Sequence, residues 1–409
     1  MDKIQLIFFF ISGFLVSRLM IKAKLPQRIV YWFIGKRRLT LSKILFCLIV
    51  ISAFLSFFIP NAITVLTLLP LLELLRRSYE TSYGPSKSVA TMLALSAIYG
   101  ANIGGMGSIT ATPANGILVT YSVLNKVPGI QYISFASWLA WGIPLVAVFV
   151  FLAALIVALV LRPRRYQKNS IALPFDADEA YHPIQKITIW VTVYYFLSSF
   201  ILSLWLMRFP DRTSAIIIIT GLLTVVFVFF LFFVPLKSNH GAAKQVLLNI
   251  PDCYNELPTK GFIFVGIAVV LAAILYALDV HELFSRWAAA TIPSDVSPFG
   301  LFFLIALATS FSTEVLSNTA VQLSFFVMAL PLAETLNFSA LGLLIIITLA
   351  CTSAFMSPIA TGVNGLAFGG VKGVSFSRML LVGFIMNIAG ALLISAWTLF
   401  YVSRLYGLN

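Results

Sequence analysis

Charged residues are scarce in this sequence. Only 10% of its 409 residues are charged and 60% are hydrophobic, whereas a soluble globular domain has about 25% charged residues. Apolar runs such as 139–161 and 214–234 are as long as the ~20 residues that a helix needs to cross a bilayer. The composition therefore excludes a soluble globule and predicts a polytopic helical membrane protein.

Residues that support redox or metal chemistry are also few. The three cysteines, Cys47, Cys253 and Cys351, form no CxxC motif, and the three histidines have no metal-ligand spacing. No histidine, cysteine or acidic pair converges on one motif, so we do not predict an enzyme.

The net charge of +13 at pH 7 does not come from one basic surface. Lys and Arg concentrate in short segments between apolar runs, chiefly 22–43, 76–87 and 162–168. Such loops mark the cytoplasmic face of a membrane protein. We therefore predict a multi-pass protein of the cell membrane, surrounded by the lipid bilayer, with both termini outside and no nucleic acid as partner.

The polar, proline-bearing stretch 162–183 divides the chain into two halves, 1–161 and 184–409. We predict the stretch to be a cytoplasmic linker. Each half begins with one or more uninterrupted apolar spans. A pair of apolar segments joined by a polar tip, an interrupted apolar segment and a final span follow. In order, these segments are 4–21, 41–59 with 63–75, 88–121 and 134–161, then 184–207, 213–235, 261–278, 298–334, 339–370 and 379–401.

A polar stretch, Thr313-Glu-Val-Leu-Ser-Asn-Thr319, lies between the two apolar segments of the second pair. Each unsatisfied polar group in lipid costs several kcal/mol, so this stretch must line a cavity in the protein. The first pair has a weaker counterpart at Pro60-Asn61. Two full spans would fit each pair, but the polar tips favour re-entrant hairpins that end near the membrane midplane.

The interrupted segments carry an internal repeat. Ala111-Thr-Pro-Ala-Asn-Gly116 recurs as Ala360-Thr-Gly-Val-Asn-Gly365, identical at four of the six positions. An odd number of predicted crossings separates the copies, so the halves are inverted relative to each other. The predicted fold is an all-α polytopic membrane protein, an inverted repeat with two re-entrant hairpins and two broken transmembrane helices. This arrangement is typical of secondary transporters.

Broken helices expose backbone groups that bind ions. A half-helix that begins at the midplane offers N–H groups and a positive dipole end to an anion, and one that ends there offers carbonyl oxygens to Na⁺. Neither break contains Lys or Arg, so anion binding by helix ends is favoured. The uncharged side chains available are the hydroxyls of Thr112, Thr313, Ser317, Thr319 and Thr361 and the amides of Asn61 and Asn318.

Other polar and aromatic residues have simpler interpretations. Asn115 and Asn364 are better explained as caps of the second half-helices than as ligands. Glu314 is either a proton-coupling acid or a residue that hydrogen-bonds the loop to which it belongs. Trp138 and Trp141 are expected in the aromatic belt at the membrane interface.

The hairpin motif Thr313-Glu-x-x-Ser-Asn-Thr319, the paired Asn-bearing tips and the doubled Ala-Thr-x-x-Asn-Gly breaks resemble the divalent anion:sodium symporter family of the ion-transporter superfamily. The resemblance covers residues 1–404. It implies a carrier of dicarboxylates, tricarboxylates or sulfate, with Na⁺ as the coupling ion and not as a prosthetic group. It also implies a homodimer and a carrier domain that moves relative to a scaffold.

The resemblance also implies site residues. One sodium site would use Thr313, the Leu316 carbonyl, Asn318 and the Ala360 carbonyl. The other would use Ser56, Asn61 and the Ala111 carbonyl. The substrate would contact Asn61, Asn318, Thr319, Thr112 and Thr361.

Three departures from the family pattern matter. The first tip reads Pro60-Asn61-Ala62 where the family has Ser-Asn-Thr, which removes two hydroxyls. Gly362-Val363 stands in place of a Pro-Pro pair in the second break. The first half has one span before its hairpin where the second has three.

We therefore expect a secondary active transporter of a small anion, with sodium-coupled symport of a dicarboxylate as the first hypothesis. Two alternatives stay open at this point. The altered first tip would also suit a sodium-independent exchanger or a proton-coupled carrier. The shortened first half would also suit a transport-inactive membrane scaffold or sensor.

Overall fold

A computed structural model describes residues 3–34, 39–166, 183–235, 245–254 and 296–407, together with residues 270, 274 and 278. Within these residues the chain is helical and forms no strands, which confirms the predicted all-α class. Most of the linker (167–182), most of the predicted span 261–278 and the residues 279–295 that follow it lie outside the described residues.

Sixteen α-helices are described, and their order follows the predicted segments closely. They are α1 (Ile4–Lys22), α2 (Leu25–Ile34), α3 (Leu41–Ser56), α4 (Asn61–Tyr83), α5 (Lys87–Gly104), α6 (Pro113–Leu124), α7 (Phe135–Leu161), α8 (Pro183–Arg208), α9 (Thr213–Phe233), α10 (Ile250–Tyr254), α11 (Pro298–Ser312), α12 (Asn318–Leu336), α13 (Ala340–Cys351), α14 (Gly362–Gly370), α15 (Phe376–Trp397) and α16 (Ser403–Tyr406). A π-helical turn, Thr398–Val402, joins α15 to α16.

Six of the described helices are long and apolar enough to cross a membrane, namely α1, α7, α8, α9, α12 and α15 with its extension. Three others are apolar but short: α3 has 16 residues, α11 has 15 and α13 has 12. At 1.5 Å per residue, each extends about 24 Å or less, short of the ~30 Å hydrocarbon core. These short helices are the first arms of the predicted hairpins and the first part of the second interrupted segment.

Two breaks interrupt the helices where the sequence loses helix formers. The first break, residues 105–112, separates α5 from α6, and Pro113 at the first position of α6 suits a helix start. The second break, residues 352–361, separates α13 from α14. Each break follows a hairpin tip, at residues 57–60 between α3 and α4 and at residues 313–317 between α11 and α12.

The two halves pack with matching sets of neighbours. In the first half α3 contacts α4, α5 and α7, and in the second half α11 contacts α12, α13 and α15. One helix of each half also packs against the other half: α14 lies against α4 and α5, and α6 lies against α12 and α13. Each broken helix therefore ends against the hairpin of the other half. A second group of helices, α1, α8 and α9, packs together at the side of this core. This group meets the core through α7 and α2 and through contacts of α8 with the first tip and break.

Two glycines allow the final helix of each half to touch a break. A Cβ atom on Gly142 of α7 would lie 2.8 Å from the Gly107 carbonyl oxygen, and one on Gly383 of α15 would lie 2.2 Å from the Met356 Cα. Contacts this short exclude any side chain at these positions. Gly107 and Met356 occupy equivalent places in the two breaks, so the same close approach is used twice.

We predict that Gly383→Ala destabilises the protein by about 1–3 kcal/mol, because the added methyl group must displace backbone atoms of the second break. Gly369→Ala is the matched control, since a Cβ atom there meets nothing within 4 Å. Thermal unfolding of both purified variants in the same detergent measures the difference. Equal midpoints for the two variants would contradict the close contact.

Candidate functional site

The second hairpin tip brings together two of the predicted ligands. Thr313 Oγ1 lies 2.6 Å from Asn318 Oδ1 and 3.0 Å from the Cys351 carbonyl oxygen at the end of α13, so its proton has two acceptors. Ser317 caps α12, because its hydroxyl accepts the Ala320 N–H at 3.3 Å. Side-chain and carbonyl oxygens therefore collect where the tip meets the second break.

Glu314 fixes this tip to the second break. Its buried carboxylate accepts the backbone N–H groups of Phe355, Met356 and Ser357 at 2.8, 2.9 and 2.6 Å and the Asn387 side-chain amide at 2.8 Å. All four partners donate, so the group acts as an ionised acceptor. Of the two interpretations of Glu314, the structure shows hydrogen bonding, but to the second break instead of the acid's own loop.

The equivalent junction in the first half is apolar. Phe57 takes the place of Glu314 and Val146 that of Asn387. Both side chains lie against Gly107, whose Cβ atom would be 2.8 Å from the Phe57 ring and 3.1 Å from Val146 Cγ2. The first tip therefore meets its break by packing, and the second does so by charge-assisted hydrogen bonds.

Asn115 and Asn364 make the same pair of contacts in the two breaks. Each side-chain amide crosses its break and donates to two carbonyl oxygens, those of Gly105 (3.1 Å) and Ser108 (2.9 Å) for Asn115 and those of Ala354 (3.1 Å) and Ser357 (2.8 Å) for Asn364. The expectation that these residues cap the second half-helices is wrong. Thr112 and Thr361 occupy the cap positions, and Thr361 accepts the Asn364 N–H at 3.2 Å.

Two polar atoms at the first break are left unsatisfied. Asn61 Oδ1 and Thr112 Oγ1 are buried, and neither has a hydrogen-bond partner among the described residues. Both side chains lie against Gly105, whose Cβ atom would be 2.9 Å from Asn61 Oδ1 and 2.5 Å from Thr112 Cγ2. Burying an unpartnered oxygen costs about 1–3 kcal/mol. A cation or a hydrogen-bond donor bound here would remove that cost.

The remaining predicted site residues lie near the tips and breaks, but not all of them contact one another. Ser56 is buried and donates to Thr64 Oγ1 at 3.0 Å, one turn inside α4. Leu316 exposes 56% of its surface at the second tip. Thr319 is half-buried in the first turn of α12. The backbones of Ala111 and Ala360 form matching turns, since their N–H groups bond to the carbonyls of Ser108 and Ser357.

Sequence reasoning missed two amides that join the halves. Asn102 of α5 donates to the Ala354 carbonyl of the second break at 2.8 Å. Gln322 of α12 donates to the Ala114 carbonyl of α6 at 2.8 Å and to Thr348 Oγ1 at 3.0 Å. Both are fully or almost fully buried. A lone amide inside an apolar helix was the available signal, because such a group must find a partner within the protein.

The expectation for Trp138 and Trp141 is wrong. Neither side chain is exposed, and their indole N–H groups donate to the Met106 carbonyl of the first break at 3.0 Å and to the Tyr406 hydroxyl at 2.8 Å. They lie in the first two turns of α7, on the face turned to the protein. An aromatic residue near a helix end is therefore not by itself a sign of the membrane interface.

We predict that Glu314→Gln destabilises the protein by on the order of 3 kcal/mol, because the amide places N–H groups against backbone donors and removes the charge. Glu334 is an exposed acid on α12, so Glu334→Gln is the matched control and should change the stability little. Thermal unfolding measures both. A Glu314→Gln variant as stable as the control would contradict the assigned contacts.

A family model described as Citrate transporter matches residues 3–253, more than half of the chain. A protein of Staphylococcus saprophyticus named Sodium-dependent dicarboxylate transporter SdcS is 24% identical over 99% of this chain and 78% of its own length. Its namesake from Staphylococcus aureus strain USA300 is 26% identical over 95% of this chain and 75% of its own length. These matches show that the chain belongs to the citrate transporter family, within the divalent anion:sodium symporters that its motifs resemble.

Proposed function

We propose that the protein is a secondary active transporter that carries a small dicarboxylate into the cell together with sodium, by alternating access. One observation carries this proposal above the others. A hairpin tip and a helix break occur twice in the chain, once in each half, and both breaks have the same amide-to-carbonyl bonds, from Asn115 and from Asn364. At each tip, uncharged oxygen ligands lie next to backbone groups that are not part of a helix. The relatives named as sodium-dependent dicarboxylate transporters support the same ion and substrate class.

The proposed organisation is an inverted repeat of 1–161 and 184–409 joined by a cytoplasmic linker at 162–183. The hairpins enter the membrane from opposite faces and end inside it, with both chain termini outside. The short lengths of α3 and α11 support re-entrant arms, and the exchanged packing of α6 and α14 supports paired halves. A chain that folds this way presents both breaks to one central site.

For sodium, the proposed second site is Thr313, the Leu316 carbonyl, Asn318 and the Ala360 carbonyl. Hard cations prefer uncharged and anionic oxygen ligands. The short distance between Thr313 Oγ1 and Asn318 Oδ1, with the Cys351 carbonyl beside them, supports a cation there. The proposed first site is Ser56, Asn61 and the Ala111 carbonyl, and the unpartnered Asn61 Oδ1 supports it.

For the substrate, the proposed contacts are the side chains of Asn61, Thr112, Asn318, Thr319 and Thr361. Each of these residues lies at or within one residue of the start of α4, α6, α12 or α14, where backbone N–H groups attract carboxylate oxygens. The N–H groups of residues 355–357 are already taken by Glu314. The substrate's charge is therefore received by the helix starts and not by the N–H groups of residues 355–357.

The proposed moving part is the core of hairpins and broken helices, and the proposed scaffold includes α1, α8 and α9. This division follows the packing, in which α1, α8 and α9 form a separate group. Large apolar side chains cover the outer faces of α8 and α9, including Trp190, Leu222 and Phe229. We assign these faces to the lipid bilayer and to a homodimer contact.

Reconstituted protein tests the proposal directly. We expect uptake of radiolabelled succinate into proteoliposomes under an inward sodium gradient, and no uptake when choline replaces sodium. Competition by C4–C6 carboxylates and sulfate then defines the substrate class. Transport without sodium would instead identify an exchanger or a proton-coupled carrier. Binding without flux would identify a membrane scaffold or sensor.

A pair of asparagine variants separates ligand binding from folding. We predict that Asn61→Ala raises the KM for the dicarboxylate at least about tenfold with no loss of stability, because Asn61 Oδ1 has no partner among the described residues. Asn115→Ala should instead lower stability by about 1–3 kcal/mol, since it frees two buried carbonyls. Transport kinetics and thermal unfolding of both variants check this. A stability loss in Asn61→Ala equal to that in Asn115→Ala would argue against a binding role.

A further inference from the structure

Tyr195 of α8 joins the peripheral helices to the first break. Its side chain is buried, and its hydroxyl lies 3.2 Å from the Phe9 carbonyl of α1 and 3.0 Å from Thr110 Oγ1 in the break. Gly13 of α1 leaves the space, because a Cβ atom there would be 2.6 Å from the Tyr195 hydroxyl. One phenol therefore holds α1, α8 and the first break together.

Among the described residues, no side chain ties down the equivalent position in the second break in this way. Thr110 precedes Ala111 as Ile359 precedes Ala360, so the two residues correspond in the internal repeat. Thr110 is tied to α8, whereas Ile359 exposes 78% of its surface. Within the part of the chain that the structure describes, the peripheral helices therefore contact the first break at Thr110, whereas the second break is exposed at Ile359.

The hairpin tips show the same difference. Phe58 of the first tip packs on Phe196 of α8 at 4.9 Å between ring centroids, and Ile59 is fully buried. Their counterparts in the second tip, Val315 and Leu316, expose 75% and 56% of their surfaces. Three equivalent pairs therefore agree: the first-half member is buried or in contact with α8, and the second-half member is exposed.

These bare side chains directly adjoin the candidate site. Ile359 precedes Ala360, and Leu316 precedes Ser317 and Asn318. A lipid-facing surface at this place would expose the uncharged ligands to hydrocarbon, where unsatisfied polar groups are costly. An aqueous opening on the second-half side agrees with the polar neighbours.

We propose that the Tyr195 hydroxyl is a latch that holds the protein in one of two end states, and that in the other state the α1 and α8 face releases Thr110 and covers the second tip and break. The occupant of the bare surface at Val315, Leu316 and Ile359 is thus a face of the same chain. This inference rests on the proposed alternating access. Tyr195 acts through position and does not contact the substrate.

Cysteine labelling without substrate tests the latch. In two parent proteins, Cys47 and Cys253 are replaced by Ala, and native Cys351 is kept as a buried reference. One parent carries the reporter Ile59→Cys and the other carries Ile359→Cys. In lipid nanodiscs, a water-soluble maleimide should label position 359 rapidly and position 59 slowly, as mass spectrometry of the peptides reports. Labelling at position 59 then measures the population of the other state.

Tyr195→Phe removes only the hydroxyl and should speed labelling at position 59 about fivefold, the effect of losing one net hydrogen bond. Thr110→Val should give a similar increase, and the double variant little more than either single one, because both changes break the same bond. Tyr194→Phe is the matched control: Tyr194 adjoins Tyr195, is 46% exposed and stacks on Phe227. It should leave the rate unchanged.

Several outcomes would overturn the latch. One is an unchanged labelling rate at position 59 in both Tyr195→Phe and Thr110→Val. Another is an equal increase in labelling at Cys351, or the same increase at position 59 in Tyr194→Phe. The last is no labelling at position 359 in the parent. Thr110→Val keeps the test decisive where Tyr195→Phe is poorly folded. Absence of sodium-driven uptake by the wild-type protein would instead remove the proposed function, and the labelling result would stand apart from it.

Discussion

Every helix break inside a membrane protein leaves backbone N–H and carbonyl groups that hydrocarbon cannot satisfy, so the protein or water in a cavity must do so. Here side chains that cross each break perform this task. Asn115 and Asn364 bind the carbonyl oxygens of their own breaks, and Glu314 binds three consecutive N–H groups of the second break. Without these bonds the breaks would either rewind into helix or admit water. The irregular backbone, and hence the candidate site, exists because they are made.

The two halves meet this requirement by different means. In the second half, carboxylate and amide groups saturate the junction of tip, break and final helix. In the first half, Phe57 and Val146 pack on Gly107, and the oxygens of Asn61 and Thr112 remain without partners among the described residues. The described hydrogen bonds thus hold the second junction together, while two buried oxygens of the first lack partners among the described residues. In the proposed site, the second half would supply the bonded framework and the first half the oxygens available to a ligand.

Much of the fold could be predicted from local sequence. The positions of Pro60, Pro113 and the Gly-rich breaks gave the helix ends to within a few residues, because these residues disfavour helix wherever they occur. The partners of side chains were harder to predict. Glu314 and Asn387 are 73 residues apart, and Asn102 and Ala354 are 252 apart. Such contacts depend on how helices pack. For the same reason Trp138 and Trp141 were misplaced, since periodicity does not tell a protein-facing side of α7 from a lipid-facing one.

The unlike junctions at residues 314 and 57 also restrict which substitutions the chain tolerates. The two copies of the repeat meet the same steric requirement with different residues, and the two members of one junction cannot be exchanged singly. A carboxylate at position 57 would face Val146 and the backbone around Gly107 without an amide beside it, and a phenyl ring at position 314 would strand three N–H groups. Glu314 with Asn387, and Phe57 with Val146, therefore each act as a pair, so a residue of one junction cannot replace its counterpart in the other without its partner.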